Sequence, residues 1–166
     1  MPSTQNPDDP SSWIVTRTGM GPVSIGSDLT AATAVMSHFT AVPSEKCPNP
    51  RLRVFEADDA PTIYFVLDES GRTVQGLRAI DTEATLGAGR GPRTSEGIGI
   101  GSSFSEVTAA YPGAVVDSST GVVDYSLTSD TEPWISFGSS VDQDQSFVRD
   151  VDVFPGGPLF YELCGG

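Results

Sequence analysis

The chain is poor in the residues that handle metals, phosphate and nucleophilic chemistry. Among 166 residues it has one histidine, His38, and one lysine, Lys46. Its two cysteines, Cys47 and Cys164, lack the C-x-x-C spacing of a zinc or redox motif. A metal site of the histidine-cluster kind is therefore excluded, and none is expected. A Ser-His-Asp enzyme would have to use His38, but no G-x-S-x-G elbow is present. Lys46 follows Pro43-Ser44-Glu45, which leaves no S-x-x-K pair. Positive charge is scarce throughout: 9 Lys+Arg against 22 Asp+Glu give a formal net charge of −13 and a pI near 4.1. Affinity for nucleic acid comes mostly from cations that neutralise phosphate, so no nucleic-acid partner is expected. Electrostatic adhesion to an anionic membrane is disfavoured for the same reason. No apolar run approaches the ~20 residues of a membrane span, so this segment is not expected to insert directly into a membrane. Asn6 and Asn49 are each followed by proline, which removes every N-x-S/T site.

What the chain does have is an even cysteine pair in a small, acidic, Gly/Pro-rich sequence. That combination points to an exported protein, extracellular or at the cell surface, with one disulfide between Cys47 and Cys164. Such a bridge would close a loop of more than 100 residues. It would contribute roughly 4–5 kcal/mol in the loop-entropy account. Residues 1–12, MPSTQNPDDPSS, are polar and rich in Pro and Ser, with no apolar signal-peptide core, and read as a disordered arm. Two readings of that arm stay open. It follows a removed export signal or lipid-anchored cysteine, or it is an ordinary N-terminus.

The most informative feature is an internal repeat. Residues 19–39 align with residues 95–115 at an offset of 75, so that Ile25-Gly26-Ser27 meets Ile100-Gly101-Ser102. Asp28 then meets Ser103, Leu29 meets Phe104, Ala32 meets Val107 and Met36 meets Tyr111. In each block a glycine ends an extended segment, a short polar side chain caps a helix, and apolar residues follow on one helical face. Ser103-x-x-Glu106 has the form of a capping box. Three β-rich stretches follow each helix: 52–56, 62–67 and 74–80, then 122–127, 134–138 and 147–153, separated by turn residues. Residues 13–16 and 159–163 could add flanking strands. The expected fold is thus α+β, with two tandem related units, each a short helix followed by about three antiparallel strands. The expected boundaries are an arm at 1–12, a first unit at 13–84, a linker at 85–96 and a second unit at 97–166. The two units are expected to share a core or a continuous sheet.

Tandem units of this kind in a small acidic exported chain resemble the β-lactamase-inhibitory proteins of actinobacteria. The small outer-membrane assembly lipoproteins have a similar unit, with an Ile-Gly-Ser/Asp opening to the helix. The residues that carry the resemblance are Ile25-Gly26-Ser27-Asp28-Leu29 with Ala32, and Ile100-Gly101-Ser102-Ser103-Phe104 with Val107. As architecture it covers most of residues 13–155. It implies a long curved sheet whose concave face grips a target protein, with no catalytic site. The inhibitors have one short-range bridge per unit, whereas Cys47 and Cys164 could make only a single long-range one. The partner therefore stays open.

Strand alternation assigns the expected faces. Ile63, Phe65 and Leu67 are expected inward with Tyr64 outward, and Leu52 and Val54 inward with Arg53 and Phe55 outward. Val123, Tyr125 and Leu127 are expected inward with Asp124 outward, and Ile135 and Phe137 inward with Trp134 and Ser136 outward. Phe147, Val151 and Val153 are expected inward, with Val148, Asp150 and Asp152 outward. The candidate partner-binding residues are Arg53, Phe55, Tyr64, Trp134, Asp150 and Asp152, a mixture of aromatics and charge suited to protein recognition.

Other motifs fall short. Residues 87–91 and 97–101 lack G-K-[ST] and a complete G-x-G-x-x-G, so no nucleotide cofactor is expected. Residues 142–146 alternate carboxylates as calcium loops do, but Phe147 and Val153 stand where such a loop needs glycine and glutamate. The expectation is an exported, non-enzymatic protein-binding module, in one form an inhibitor, with another protein as partner and no cofactor. One alternative is a cell-envelope lipoprotein domain with a structural duty. A second is a carboxylate-based hydrolase, although no spacing among the acids selects a pair.

Overall fold

Both helices begin where the capping residues place them. In the computed structural model, which describes residues 5–82, 91–140, 145–157 and Cys164, α1 (Leu29–Ala34) is capped by Asp28, whose carboxylate accepts from the Thr30 and Ala31 amides. Helix α2 (Phe104–Ala110) starts with the complete Ser103/Glu106 capping box. Gly26 and Gly101, just before the caps, both have φ of +88°, a conformation that favours glycine. The backbone around them makes matching contacts. Gly26 N–H donates to Val74 O at 2.7 Å, Val74 N–H to Ser27 O at 2.9 Å, and Leu29 N–H to Arg72 O at 2.7 Å. Gly101 N–H donates to Val148 O at 2.8 Å, Val148 N–H to Ser102 O at 2.8 Å, and Phe104 N–H to Ser146 O at 3.0 Å.

The helices are short, at six and seven residues, and apart from one turn of 3-10 helix the rest of the described regular structure is strand. The expected α+β class with one helix per unit is therefore corrected: the described chain is mostly β. A three-stranded antiparallel sheet contains β1 (Val15–Thr16), β2 (Gly19–Met20) and β3 (Val23–Ser24). An eight-stranded sheet contains β4 (Thr40–Ala41), β5 (Leu52–Ala57), β6 (Ala60–Leu67), β7 (Val74–Ile80), β8 (Val115–Asp117), β9 (Asp124–Leu127), β10 (Trp134–Gly138) and β11 (Asp150–Phe154). Its order is β4-β5-β6-β7-β11-β10-β9-β8, and every pairing is antiparallel. Strands β7 and β11 meet at its centre and make one sheet of both halves. The physical reason for the misread class is that two-residue stretches such as β2, β3 and β4, too short for a strand pattern to show, find sheet partners and become strands.

The expected N-terminal arm makes defined contacts with the body of the chain. From Gln5 onward it folds back on Trp13: the indole Nε1–H donates to Asn6 O at 2.9 Å, and Ile14 N–H donates to Gln5 Oε1 at 2.7 Å. Asp9 caps a turn of 3-10 helix at Pro10–Ser12. Of the stretch read as a linker, residues 91–96 are tied to this region, with Val15 N–H donating to Arg93 O at 2.9 Å. Residues 1–4, 85–90, the expected strand at 159–163 and the acidic positions 142 and 144 lie outside the described residues.

One face of the large sheet carries the main core. Phe55, Ile63, Phe65, Leu77, Val151, Val153, Ile135 and Phe137 pack there with Trp13, Met20, Val107 and the rest of the small sheet and helices. The opposite face holds a second apolar cluster of Leu52, Val54 and Val66 with Cys47 and Cys164. These cysteines form the expected disulfide, 117 residues apart in sequence. A bridge spanning such a loop limits the unfolded chain strongly. The double variant Cys47→Ser/Cys164→Ser is expected to lose about 4–5 kcal/mol in urea unfolding. An unchanged midpoint would show that the bridge does not constrain the chain.

Candidate functional site

The central strands carry more polar side chains than a buried sheet tolerates without pairing. Register places them in two neighbouring rows on the face opposite the main core. The first row runs Tyr64–Arg78–Asp152–Ser136–Ser126. The second runs Thr62–Ile80–Asp150–Gly138–Asp124–Asp117.

Arg78 sits on β7 opposite Asp152 on β11. Its Nε and Nη2 donate to the two carboxylate oxygens at 2.6 and 2.8 Å, and the side chains are 7% and 1% exposed. Burial opposes the charge on Arg78, but the neighbouring Asp152 carboxylate more than offsets this and holds the guanidinium firmly protonated. A second ion pair crosses the same junction with the charges reversed: Arg149 Nη1 lies 3.0 Å from Asp81 Oδ2. In the first row, the Ser126 and Ser136 hydroxyls are 2.8 Å apart.

The second row is less balanced. A Cβ on Gly138 would lie 2.6 Å from Asp150 Oδ1 and 2.7 Å from Asp124 Oδ1, so the bare glycine lets two carboxyl groups converge above it. Asp150 is buried, and its Oδ1 has no hydrogen-bond partner. Burial, reinforced by the Asp152 and Asp124 charges and resisted by Arg78, pushes the Asp150 carboxyl up to about 8. Burial likewise raises Asp124 to about 6, aided by Asp152 and Asp117 and resisted by Arg78. Chemically, this cluster can hold a proton at neutral pH. No group of three or more metal-ligating side chains is found among the described residues.

Two concavities lie elsewhere. One of about 610 Å³ is lined by His38, Glu56, Asp58 and Asp59, with His38 Nε2 2.8 Å from Asp59 Oδ1. The other, of about 590 Å³, lies beside Arg17, Glu96, Tyr111 and Ile135. Neither is lined by Asp124 or Asp150.

Of the six residues expected on one outward face, four share the face opposite the main core and two do not. Tyr64 and Trp134 are half-buried there, and Asp150 and Asp152 are buried there. Burial raises the Tyr64 hydroxyl, against the pull of Arg78. Trp134 Nε1–H donates to Ser129 O at 2.8 Å. Arg53 is exposed but lies in register with Phe65, on the core-side face, and its guanidinium folds back on the carbonyls of Pro50 and Leu52. Phe55 is buried, its ring 4.7 Å from Phe65. Strand β5 therefore runs one residue out of phase with its expected faces. Apolar material covers both of its faces, so Leu52 and Val54 point to the disulfide cluster while Phe55 points to the main core.

A similar break affects Phe147 and Val148: Val148 is buried and Phe147 is 39% exposed, the reverse of the expectation. Val148 pairs with the Gly101–Ser102 turn, ahead of β11, so the alternation of β11 does not extend back to it. Sequence reasoning missed Arg78, Arg149, Asp81 and Gly138. A usable signal was present: Arg78 interrupts the apolar stretch of β7, and a charge there demands an opposite charge on a neighbouring strand.

No protein-family model, curated protein or solved structure matches the chain.

Removing one member of a buried ion pair leaves an uncompensated charge. Arg78→Leu and Asp152→Leu are each expected to cost about 3–5 kcal/mol, and the double variant much less than the sum. Urea unfolding of the four proteins checks this, and additive losses would show that the pair is not coupled.

Proposed function

We propose that the protein is an exported, non-enzymatic protein-binding module that engages another protein through its long antiparallel sheet. An inhibitor of the kind the sequence resembles is one form this takes. The observation that carries the reading is the placement of Trp134 and Tyr64, half-buried on the sheet face opposite the helices. Aromatic side chains fixed on strands supply contact area at little entropic cost, which is why they dominate binding hot spots. Export is supported by the Cys47–Cys164 disulfide, which is compatible with an oxidising compartment. Among the described residues, no helix is long and apolar enough to cross a membrane. The acidic excess favours association with a basic partner surface.

One observation favours a second reading, a carboxylate-based hydrolase: Asp124 and Asp150 are two raised acids in close approach. Against it, neither concavity described above reaches them.

The test is capture from the surrounding medium or envelope by immobilised protein, comparing the wild type with Trp134→Ala. The variant is expected to retain its melting temperature within a few degrees and to bind the captured protein at least about tenfold more weakly. Equal capture by both, or a large loss of stability in the variant, would remove Trp134 from the recognition surface.

A further inference from the structure

We propose that Asp124 and Asp150 carry a single proton as a pair above Gly138, and that losing it loosens the β9–β10–β11 ribbon, so that mild acid tightens the protein. The geometry comes first. Three strands bring the two carboxyl groups to one glycine, and their oxygens lie 2.6 and 2.7 Å from the point where a side chain would begin. Asp150 is 6% exposed, and its Oδ1 has neither solvent nor a hydrogen-bond donor. An ionised carboxylate in that position pays the full cost of desolvation, and a second charge beside it adds repulsion.

The described groups around the pair do not neutralise it. On β7, Arg78 is committed to Asp152 by two hydrogen bonds. On β11, Asp152 adds negative charge, and Arg149, just before the strand, is paired with Asp81. On β8, Asp117 adds negative charge from the end of the row. From β6 comes the neutral Tyr64 hydroxyl, from β5 the exposed Glu56, and from β10 the Ser136 hydroxyl. Among the described residues, one guanidinium thus faces three inner carboxyl groups. One retained proton restores balance, as in other carboxyl pairs that share a site.

The direction of the pH effect follows. The folded pair keeps its proton where unfolded aspartates, with pKa near ~3.9, have lost theirs. The folded state therefore binds more protons across this interval. The stabilisation is complete below the unfolded value and is lost as pH rises through the folded ones, about 6 and about 8.

The experiment is a carbon-13 NMR titration of the aspartate carboxyl groups in the full chain, with thermal melts at acid and alkaline pH. We expect one resonance of the pair to titrate above pH 6, and the melting temperature to rise by several degrees between pH 8.5 and 5.5. Asp150→Asn, which mimics the neutral carboxyl group, should fold and lose most of that rise. Asp130→Asn, at an exposed position, should keep it and so control for general charge relief. If both resonances titrate below pH 5, or Asp150→Asn keeps the full rise, the proposal is overturned. Stabilisation by millimolar calcium at pH 8.5 that Asp150→Asn abolishes would also overturn it, by making the occupant a cation.

Discussion

The architecture depends on one contact, the buried two-pronged ion pair between Arg78 and Asp152. Strands β7 and β11 come from opposite halves of the chain, yet they lie side by side at the centre of the sheet. Nothing local brings them together. Their register sets Leu77 and Ala79 against Val153 and Val151 on the core face. A slip of one residue would turn either Arg78 or Asp152 into that core, away from its partner, and bring that strand's apolar residues out. A buried ion pair often adds little net stability, because desolvation consumes its Coulomb energy. Its stronger effect is on uniqueness, since a one-residue slip leaves both charges buried and unpaired. The reversed pair Arg149–Asp81, at one end of the same junction, reinforces this choice.

Once that register is fixed, the two faces of the sheet divide the remaining work. The core face packs against α1, α2 and the small sheet, where Trp13 meets Phe39 and Phe104 stacks on Tyr125. The other face is apolar toward β5, where the disulfide joins Cys47 to Cys164. Toward β9 it is polar, with Ser126, Ser136, Asp124 and Asp150. Tyr64 stands half-exposed at the β6 end of the Arg78–Asp152 row, and Trp134 stands half-exposed on β10, opposite Phe154. In the proposed binding role, aromatics held rigidly on such a face would lose little freedom on contact.

Local chemistry was legible in the sequence where short-range rules apply. The caps at Asp28 and Ser103, the glycines before them and the strands at β5–β7, β9 and β10 follow from residue types within a few positions. The disulfide followed from the even cysteine count in a small, acidic, Gly/Pro-rich chain. The class was misjudged because α1 and α2 end after fewer than two turns, and because β2, β3, β4 and β8 carry too few residues for period-two patterning to show. The faces of β5 failed for another reason: with apolar cover on both sides, Leu52, Val54 and Phe55 are all buried, and alternation loses its meaning. The charged row was half-visible. Asp150 and Asp152 read as outward because charges normally are, but Arg78 in the middle of a buried strand was the clue that their row is interior.

The central claim is that the β7–β11 junction makes a single cooperative sheet from two sequence halves. Native-state hydrogen exchange under mild denaturant tests it most directly. The account predicts that the amides of Leu77, Ala79, Val151 and Val153 are among the slowest, and that β6 and β10 exchange with the same opening free energy through global unfolding. If the β9–β10 amides open at a distinctly lower free energy than those of β5–β6, the halves are separate units and the junction does not unite them.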